Sequence, residues 1–237
     1  MLVKTKAIVL SALRYQEKSL IVKCFTESDG LKSYYVRDAF SSKKNSQKTV
    51  YFRPLTILEL EASHKNKGTL EYFKEVRIAH PYFTLNTDIV KTSISIFVAE
   101  MLHHCIKEEE KNDALYSFLE TALLWLDSHG EVANFHLILL LEVSKFLGFY
   151  PDSSETNHAF FEMTEGIFVP YASVSCLSVE ETQLLRRLMP LKFDNSTKAF
   201  HVTERQALLK ILLDYYAIHL DGFKRPKSLE ILKEVFS

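Results

Sequence analysis

Residues 19–37, SLIVKCFTESDGLKSYYVR, decide the fold. Ser19 to Thr26 is a β-rich run, Ser28-Asp29-Gly30 is a turn, and Leu31 to Arg37 is a second run of strand character. Upstream, Lys4 to Leu13 reads as a strand built around Ala7-Ile8-Val9-Leu10. Downstream, Leu55 to Ala62 alternates apolar and polar residues, and Leu70 to Ile78 follows a turn that ends at Gly68. Five short strands follow one another with no long helix between most of them. A small barrel buries such strands and protects their edges. The expectation is a five-stranded OB-fold barrel, although an SH3-like barrel has nearly the same pattern.

After Pro81 the apolar period changes from two to 3.6. Ile94, Phe97, Val98, Met101, Leu102 and Cys105 share one helical face. Leu115, Phe118, Leu119, Ala122, Leu123 and Leu126 share another. Val132 to Leu147 is apolar nearly all round, which predicts a central buried helix stopped by Gly148. Residues 158–175 predict a β-hairpin turning at Glu165-Gly166. Ser178 with Glu181, and Thr203 with Gln206, predict two capping boxes, and a short helix is expected near Leu229 to Val235. The fold class is therefore α+β. Residues 1–80 are expected to form the barrel domain, and 81–237 a mainly helical domain with a hairpin near 158–175.

Apolar residues make up 47% and charged residues 25% of the 237, an ordinary globular composition. Cys24, Cys105 and Cys176 stand far apart, so neither a disulfide framework nor a zinc ribbon is indicated. The opening MLVKTKAIVL has too short an apolar run for a signal peptide, and a cytoplasmic protein is expected. The chain contains no GxxxxGK[ST] phosphate loop, no GxGxxG, no GxSxG elbow and no HExxH. Glu100 with His103 and His104 is the best metal candidate. A di-metal site would need a second such pair on another helix together with further carboxylates, and no such set is evident, so a solvated helix face is the plainer reading. No catalytic residue, metal or cofactor is expected, and so no enzyme.

Charge is where the sequence is informative. Residues 1–80 carry 15 Lys and Arg against 8 Asp and Glu, a net +7, whereas the remainder carries 14 against 22, a net −8. A basic part joined to an acidic part points to a polyanion as partner. Lys32, Arg37, Lys43, Lys44, Lys48 and Arg53 gather around the third strand and the long segment Asp38 to Arg53. Tyr34, Tyr35, Phe40, Tyr51 and Phe52 interleave with them. Single-stranded DNA needs cations for its phosphates and aromatic faces for its bases. Strand alternation lets one of Tyr34 and Tyr35 face outward, and Tyr35 is taken as the outward ring. The competing reading is a protein-binding adaptor, whose basic barrel docks an acidic partner.

Several segments resemble the RecO family of recombination mediators, in order along the chain. They are Lys6 to Leu10 with Tyr15-Gln16-Glu17-Lys18-Ser19, and Ser19 to Val22 with Phe25-Thr26-Glu27 before Gly30. Val36 to Phe40 with Lys43-Lys44-Asn45-Ser46, then Arg53-Pro54-Leu55, and finally Phe135 to Leu137 through Phe146 to Pro151 complete the set. The resemblance implies an OB-fold and a helical domain. It implies binding and annealing of single-stranded DNA, and work with RecR to load RecA onto DNA coated by single-stranded-DNA-binding protein, SSB. It also implies docking of the acidic SSB C-terminal tail, for which Arg186 and Arg187 beside Leu184, Leu185 and Leu188 are the favoured site. Arg205 and Lys210 beside Leu208 and Leu209 are the alternative. Many relatives carry a four-Cys zinc site here, but Asp152 to Val169 contains no Cys. The hairpin is expected to keep its shape by apolar packing from Phe160, Phe161, Ile167 and Phe168.

Overall fold

The computed structural model describes residues 2–40, 47–65, 69–107, 110–195 and 199–236. By internal contacts the chain divides into two compact units, Met1–Ser128 and His129–Ser237.

The first unit begins with five strands: β1 (Leu2–Tyr15), β2 (Ser19–Thr26), β3 (Gly30–Val36), β4 (Ile57–Ser63) and β5 (Tyr72–Ile78). They form one antiparallel sheet in the order β3-β2-β1-β4-β5. The long β1 serves two neighbours: Leu2 to Ile8 pair with β4, and Ala7 to Tyr15 pair with β2, across an irregularity between Val9 and Ser11. That bulge lets one strand bend from one side of the barrel to the other. The sheet closes through a parallel bridge between Tyr34 and Glu71. There Tyr35 N donates to Glu71 O at 2.9 Å and Glu71 N to Ser33 O at 2.8 Å. Five strands in this order, closed by a parallel contact between β3 and the start of β5, form an OB-like barrel.

Alternation sorts the side chains. Ala7, Val9, Val22, Cys24, Tyr34, Leu58 and Leu60 fill the barrel, with Phe52 and Phe73 stacked across its mouth at 5.7 Å. The other face of β1 and β2 is buried by two helices, α1 (Ile89–Cys105) and α2 (Asp113–Ser128), with Phe25 against Tyr116 at 5.9 Å. Asp127 fixes the chain just before α1. Its carboxylate accepts from the N–H groups of Phe83, Thr84 and Leu85 at 2.8–2.9 Å.

Strand bounds shift from the sequence reading: β1 is longer, at Leu2–Tyr15, and β5 starts at Tyr72. β4 starts at Ile57 rather than Leu55, because Leu55 has φ +61° and closes a turn in which Thr56 N donates to Arg53 O. The segment between β3 and β4 contains a 3-10 helix, Gln47–Phe52.

The second unit holds α3 (Phe135–Phe146), the hairpin β6 (Phe160–Glu162) and β7 (Ile167–Val169), then α4 (Val179–Leu188), α5 (Val202–His219) and α6 (Leu229–Val235). The central helix α3 is buried along most of its length, as its all-round apolar sequence requires. Tyr216 of α5 donates its hydroxyl to Leu140 O at 2.7 Å. The box at Ser178 and Glu181 caps α4. The Thr203–Gln206 box does not form. The helix starts earlier, at Val202, with Glu204 accepting from His201 N at 2.8 Å, so Thr203 already lies inside the first turn. Within the hairpin, Phe161 and Phe168 are buried with ring centroids 5.1 Å apart, but Ile167 is exposed and Phe160 half-buried. A two-residue period turns one of each neighbouring pair outward.

Candidate nucleic-acid interface

β3 places its even-numbered side chains inside the barrel and its odd-numbered ones toward the surface. Lys32 and Tyr34 therefore share the interior, and Lys32 is 4% exposed. Its charge acts on Asp29. Partial burial pushes the Asp29 carboxyl up, but hydrogen bonds from Ser28 and His64 outweigh it and hold that carboxyl below its usual range. Parity thus takes Lys32 out of reach of a surface polyanion. Tyr35 and Arg37 have the opposite parity.

Tyr35 and Arg37 line an open groove of about 700 Å³ that runs between β3 and β5. Tyr51 borders it from the 3-10 helix, and Tyr72 and Lys74 from β5. Arg37 is exposed, and its side chain makes no hydrogen bond or ion pair among the described residues. Lys74 is held by Glu61 at 2.5 Å and Arg77 by Glu59 at 3.3 Å, so these two cations are partly neutralised. Arg53 is exposed on the turn before β4. Lys43 and Lys44 lie outside the described residues. Lys48 belongs by backbone to the 3-10 helix, and its side chain lies outside the description as well.

Three tyrosines cross this side of the barrel. Tyr35 meets Tyr15 at 6.2 Å and 85°, and Tyr72 at 6.0 Å and 76°. The Tyr35 hydroxyl lies 2.9 Å from Ser19 Oγ, which fixes the middle ring. Tyr15 and Tyr72 are the outer members, 43% and 47% exposed. Lys65 stands over the Tyr72 ring at 5.9 Å, and Arg14 over Phe40 at 5.2 Å. Tyr15, Tyr72, Lys65 and Arg14 were not singled out by the sequence. A usable signal existed, because Tyr15 directly precedes the β1–β2 loop and Tyr72 directly follows the β4–β5 loop. Those are the two loops that flank the ligand face of OB-folds.

An OB-like barrel with an aromatic groove that carries Arg37 is joined to a helical unit, and comparison with known proteins places both parts. The description "Recombination protein O N terminal" matches residues 1–82, and "Recombination protein O C terminal" matches residues 86–230. The chain belongs to the RecO family. It is 68% identical to the DNA repair protein RecO of Flavobacterium psychrophilum and 65% identical to that of Flavobacterium johnsoniae, over the whole of each chain. The RecO of Christiangramia forsetii is 40% identical, again over both full lengths.

The second unit carries the residues that the sequence suggests for docking an acidic tail. Arg186 donates to His158 O and lies over the Phe168 ring at 5.5 Å. Arg187 pairs with Glu204, donates to Ala199 O and covers Phe200 at 4.8 Å. Both guanidiniums are thus engaged within their own unit. Of the alternative cluster, Arg205 donates to Phe200 O at 2.7 Å and lies over the Phe236 ring at 5.7 Å, and Leu208 is buried, so neither faces a ligand; Lys210 and Leu209 join a different set. Leu209 and Leu213 of α5 with Leu229 of α6 line a pocket of about 240 Å³, rimmed by Lys210, Arg225 and Lys233. No cysteine lies between residues 152 and 169, and the hairpin packs Phe161 against Phe168 at 5.1 Å. Among the described residues no group of three or more His, Cys, Asp or Glu side chains is placed to hold a metal, the Glu100–His103 pair included. Burial also pushes the pKa of His103 down. Among the described residues no helix is long and apolar enough to cross a membrane.

Proposed function

We propose that this RecO protein is a cytoplasmic, non-catalytic mediator that binds and anneals single-stranded DNA and, with RecR, helps load RecA onto SSB-coated DNA. One observation carries the reading: the exposed Arg37, with no ion pair among the described residues, lines the same open groove as Tyr35 on a basic OB-like barrel. Cation and ring together answer the two chemistries of a single strand, phosphate and base. Arg53, and by sequence Lys43, Lys44 and Lys48 of the same β3–β4 segment, are assigned to further phosphates. Lys32 is left out because it is buried. Annealing follows if one strand lies on the groove with its pairing edges open to a complement.

The acidic helical part, residues 81–237, is assigned to proteins rather than DNA. Its α5–α6 pocket, apolar at the floor and cationic at the rim, suits an acidic tail that ends in an apolar residue, and we place the SSB tail there. The test is anisotropy with a labelled oligonucleotide over a salt series. Submicromolar binding that weakens steeply with salt is expected, because phosphate contacts release counterions. Failure to bind any single strand at low salt would leave the barrel as a docking surface for an acidic protein.

A further inference from the structure

The tyrosines on the groove do something that cations alone cannot. We infer that Tyr15 and Tyr72 are stacking platforms for the bases of single-stranded nucleic acid, with Tyr35 as the fixed ring that holds them in line. The inference rests on the single-strand reading above and adds which side chains receive the bases.

Four observations support it. Tyr34, one residue from Tyr35, is completely buried, so the sheet has room inside for a tyrosine. Tyr15 and Tyr72 are nevertheless 43% and 47% exposed; Tyr72 lines the groove, and Tyr15 is joined to it through the Tyr35 ring. Neighbouring rings in the track meet edge-on, at 85° and 76°, rather than face to face. Face area is therefore left that a base can cover. Finally, cations accompany the rings: Lys65 lies over Tyr72, and Arg37 lines the groove beside it. A nucleic acid uses both, one for each half of the nucleotide.

The three rings come from three separate strands. Tyr15 ends β1, Tyr35 lies on β3, and Tyr72 begins β5. The track thus crosses the barrel rather than following one strand, and a bound chain would run across the barrel, over the closure between β3 and β5. Bases already paired in a duplex cannot present their faces, so the platform favours single strands. Every base has a π-face, so the preference among sequences is weak.

The experiment uses the full chain and a fluorescein-labelled mixed-sequence oligonucleotide. Tyr15→Ala and Tyr72→Ala are each expected to weaken binding roughly tenfold, the range of one lost base–aromatic stack, without changing the slope against log salt. Tyr72→Phe should bind as the wild type does, since the ring face remains. Arg37→Ala should lower the slope by about 0.7. Photo-cross-linking with 5-iodouracil should label peptides that contain Tyr15 or Tyr72. If Arg37→Ala weakens binding while both tyrosine variants bind normally, the stacking assignment is wrong and the DNA reading stands. A tyrosine variant that changes the salt slope would also overturn it, because the ring would then act through neighbouring charge. If the wild-type chain binds no single strand, the functional reading itself fails and the platform with it.

Discussion

The Tyr34 hydroxyl lies 2.7 Å from His64 Nε2 inside the barrel, and the opposite nitrogen of that ring lies 2.9 Å from an Asp29 carboxylate oxygen. The chain ties β3 to the end of β4 and to the β2–β3 turn, next to the loop that leads to Tyr72. Tyr34→Phe is expected to cost about 1–2 kcal/mol, the range for a buried hydrogen bond that loses one partner. Asp29→Asn carries a pH signature. The folded-state pKa of Asp29 is depressed, so its contribution is present above the ordinary aspartate value of about 3.9 and is lost as pH falls through the depressed value. Wild type should therefore be the more stable protein at neutral pH, with the gap closing as the solution is acidified. Urea midpoints measured at several pH values check this.

Gly30 occupies a position that tolerates no side chain. It has φ +64°, and a Cβ there would stand 2.2 Å from the Glu110 backbone oxygen. Backbone cannot swing aside as a side chain can. Gly30→Ala is expected to destabilise by about 2–4 kcal/mol, from the left-handed conformation and the clash together. Gly166 in the hairpin makes the contrast. Its φ is +70°, but the atom in the way is the hydroxyl of Tyr215, the far end of a side chain. Gly166→Ala should cost about 1 kcal/mol. Thermal melts of the two variants should keep that order.

Strand parity explains what was legible in the sequence and what was not. Alternation through residues 31–37 correctly separated Tyr34 from Tyr35. The same rule, applied two residues before Tyr34, sends Lys32 inward with it, but its charge drew it into the basic cluster. The central helix α3 was readable because an all-apolar run has one stable place, the core. The Thr203–Gln206 pattern misled because Ser or Thr three residues before Gln also occurs within helices. Tyr15 and Tyr72 escaped notice for a different reason. They are 57 positions apart in sequence, and only the closure of the barrel brings both to the ring of Tyr35.

Salt dependence should report the cationic part of the interface. Lys43→Ala with Lys44→Ala is expected to weaken single-strand binding and to reduce the log–log slope by about 0.7 per lost contact. Arg37→Ala should reduce the slope by one such step. Equal slopes in all three proteins would place the phosphates on another face. The slopes come from anisotropy titrations between about 50 and 200 mM salt, the range over which such contacts are resolved.

The hairpin module should need no zinc. Phe161 packs against Phe168 at 5.1 Å and against Tyr215 at 5.7 Å, and no cysteine lies between residues 152 and 169. A structural zinc site is almost always built from four Cys or His ligands. Elemental analysis of protein purified without added metal should find substoichiometric zinc, and a chelator should leave the melting temperature unchanged. Phe161→Ala, in contrast, should cost about 3–5 kcal/mol. Stoichiometric zinc, or unfolding by the chelator, would show that a metal does this work.

The tail site can be separated from its rival by charge reversal. Arg186 and Arg187 lie on α4, but their guanidiniums are already occupied by His158 O, Glu204, Ala199 O and the rings of Phe168 and Phe200. Turning them toward a peptide would first break those contacts. Lys210, Arg225 and Lys233 also have acidic neighbours: Asp214 for the first two and Glu230 for the third. The difference is what lies between them. The three cations surround an apolar pocket with Leu209, Leu213 and Leu229 in its lining, large enough for one apolar terminal side chain. An exposed ion pair contributes little to stability, about 0–1 kcal/mol, so these cations can exchange partners at low cost. Lys210→Glu with Lys233→Glu is therefore expected to weaken binding of an SSB tail peptide at least tenfold while leaving oligonucleotide binding intact. Arg187→Glu is expected to lower stability and to leave peptide affinity nearly unchanged. Calorimetric titration of the peptide into each folded variant decides between them. If Arg187→Glu abolishes peptide binding and the pocket variant does not, the tail belongs on α4, as the sequence first suggested. If a peptide lacking its terminal apolar residue binds as well as the full one, the pocket floor plays no part and attraction between opposite charges accounts for the affinity.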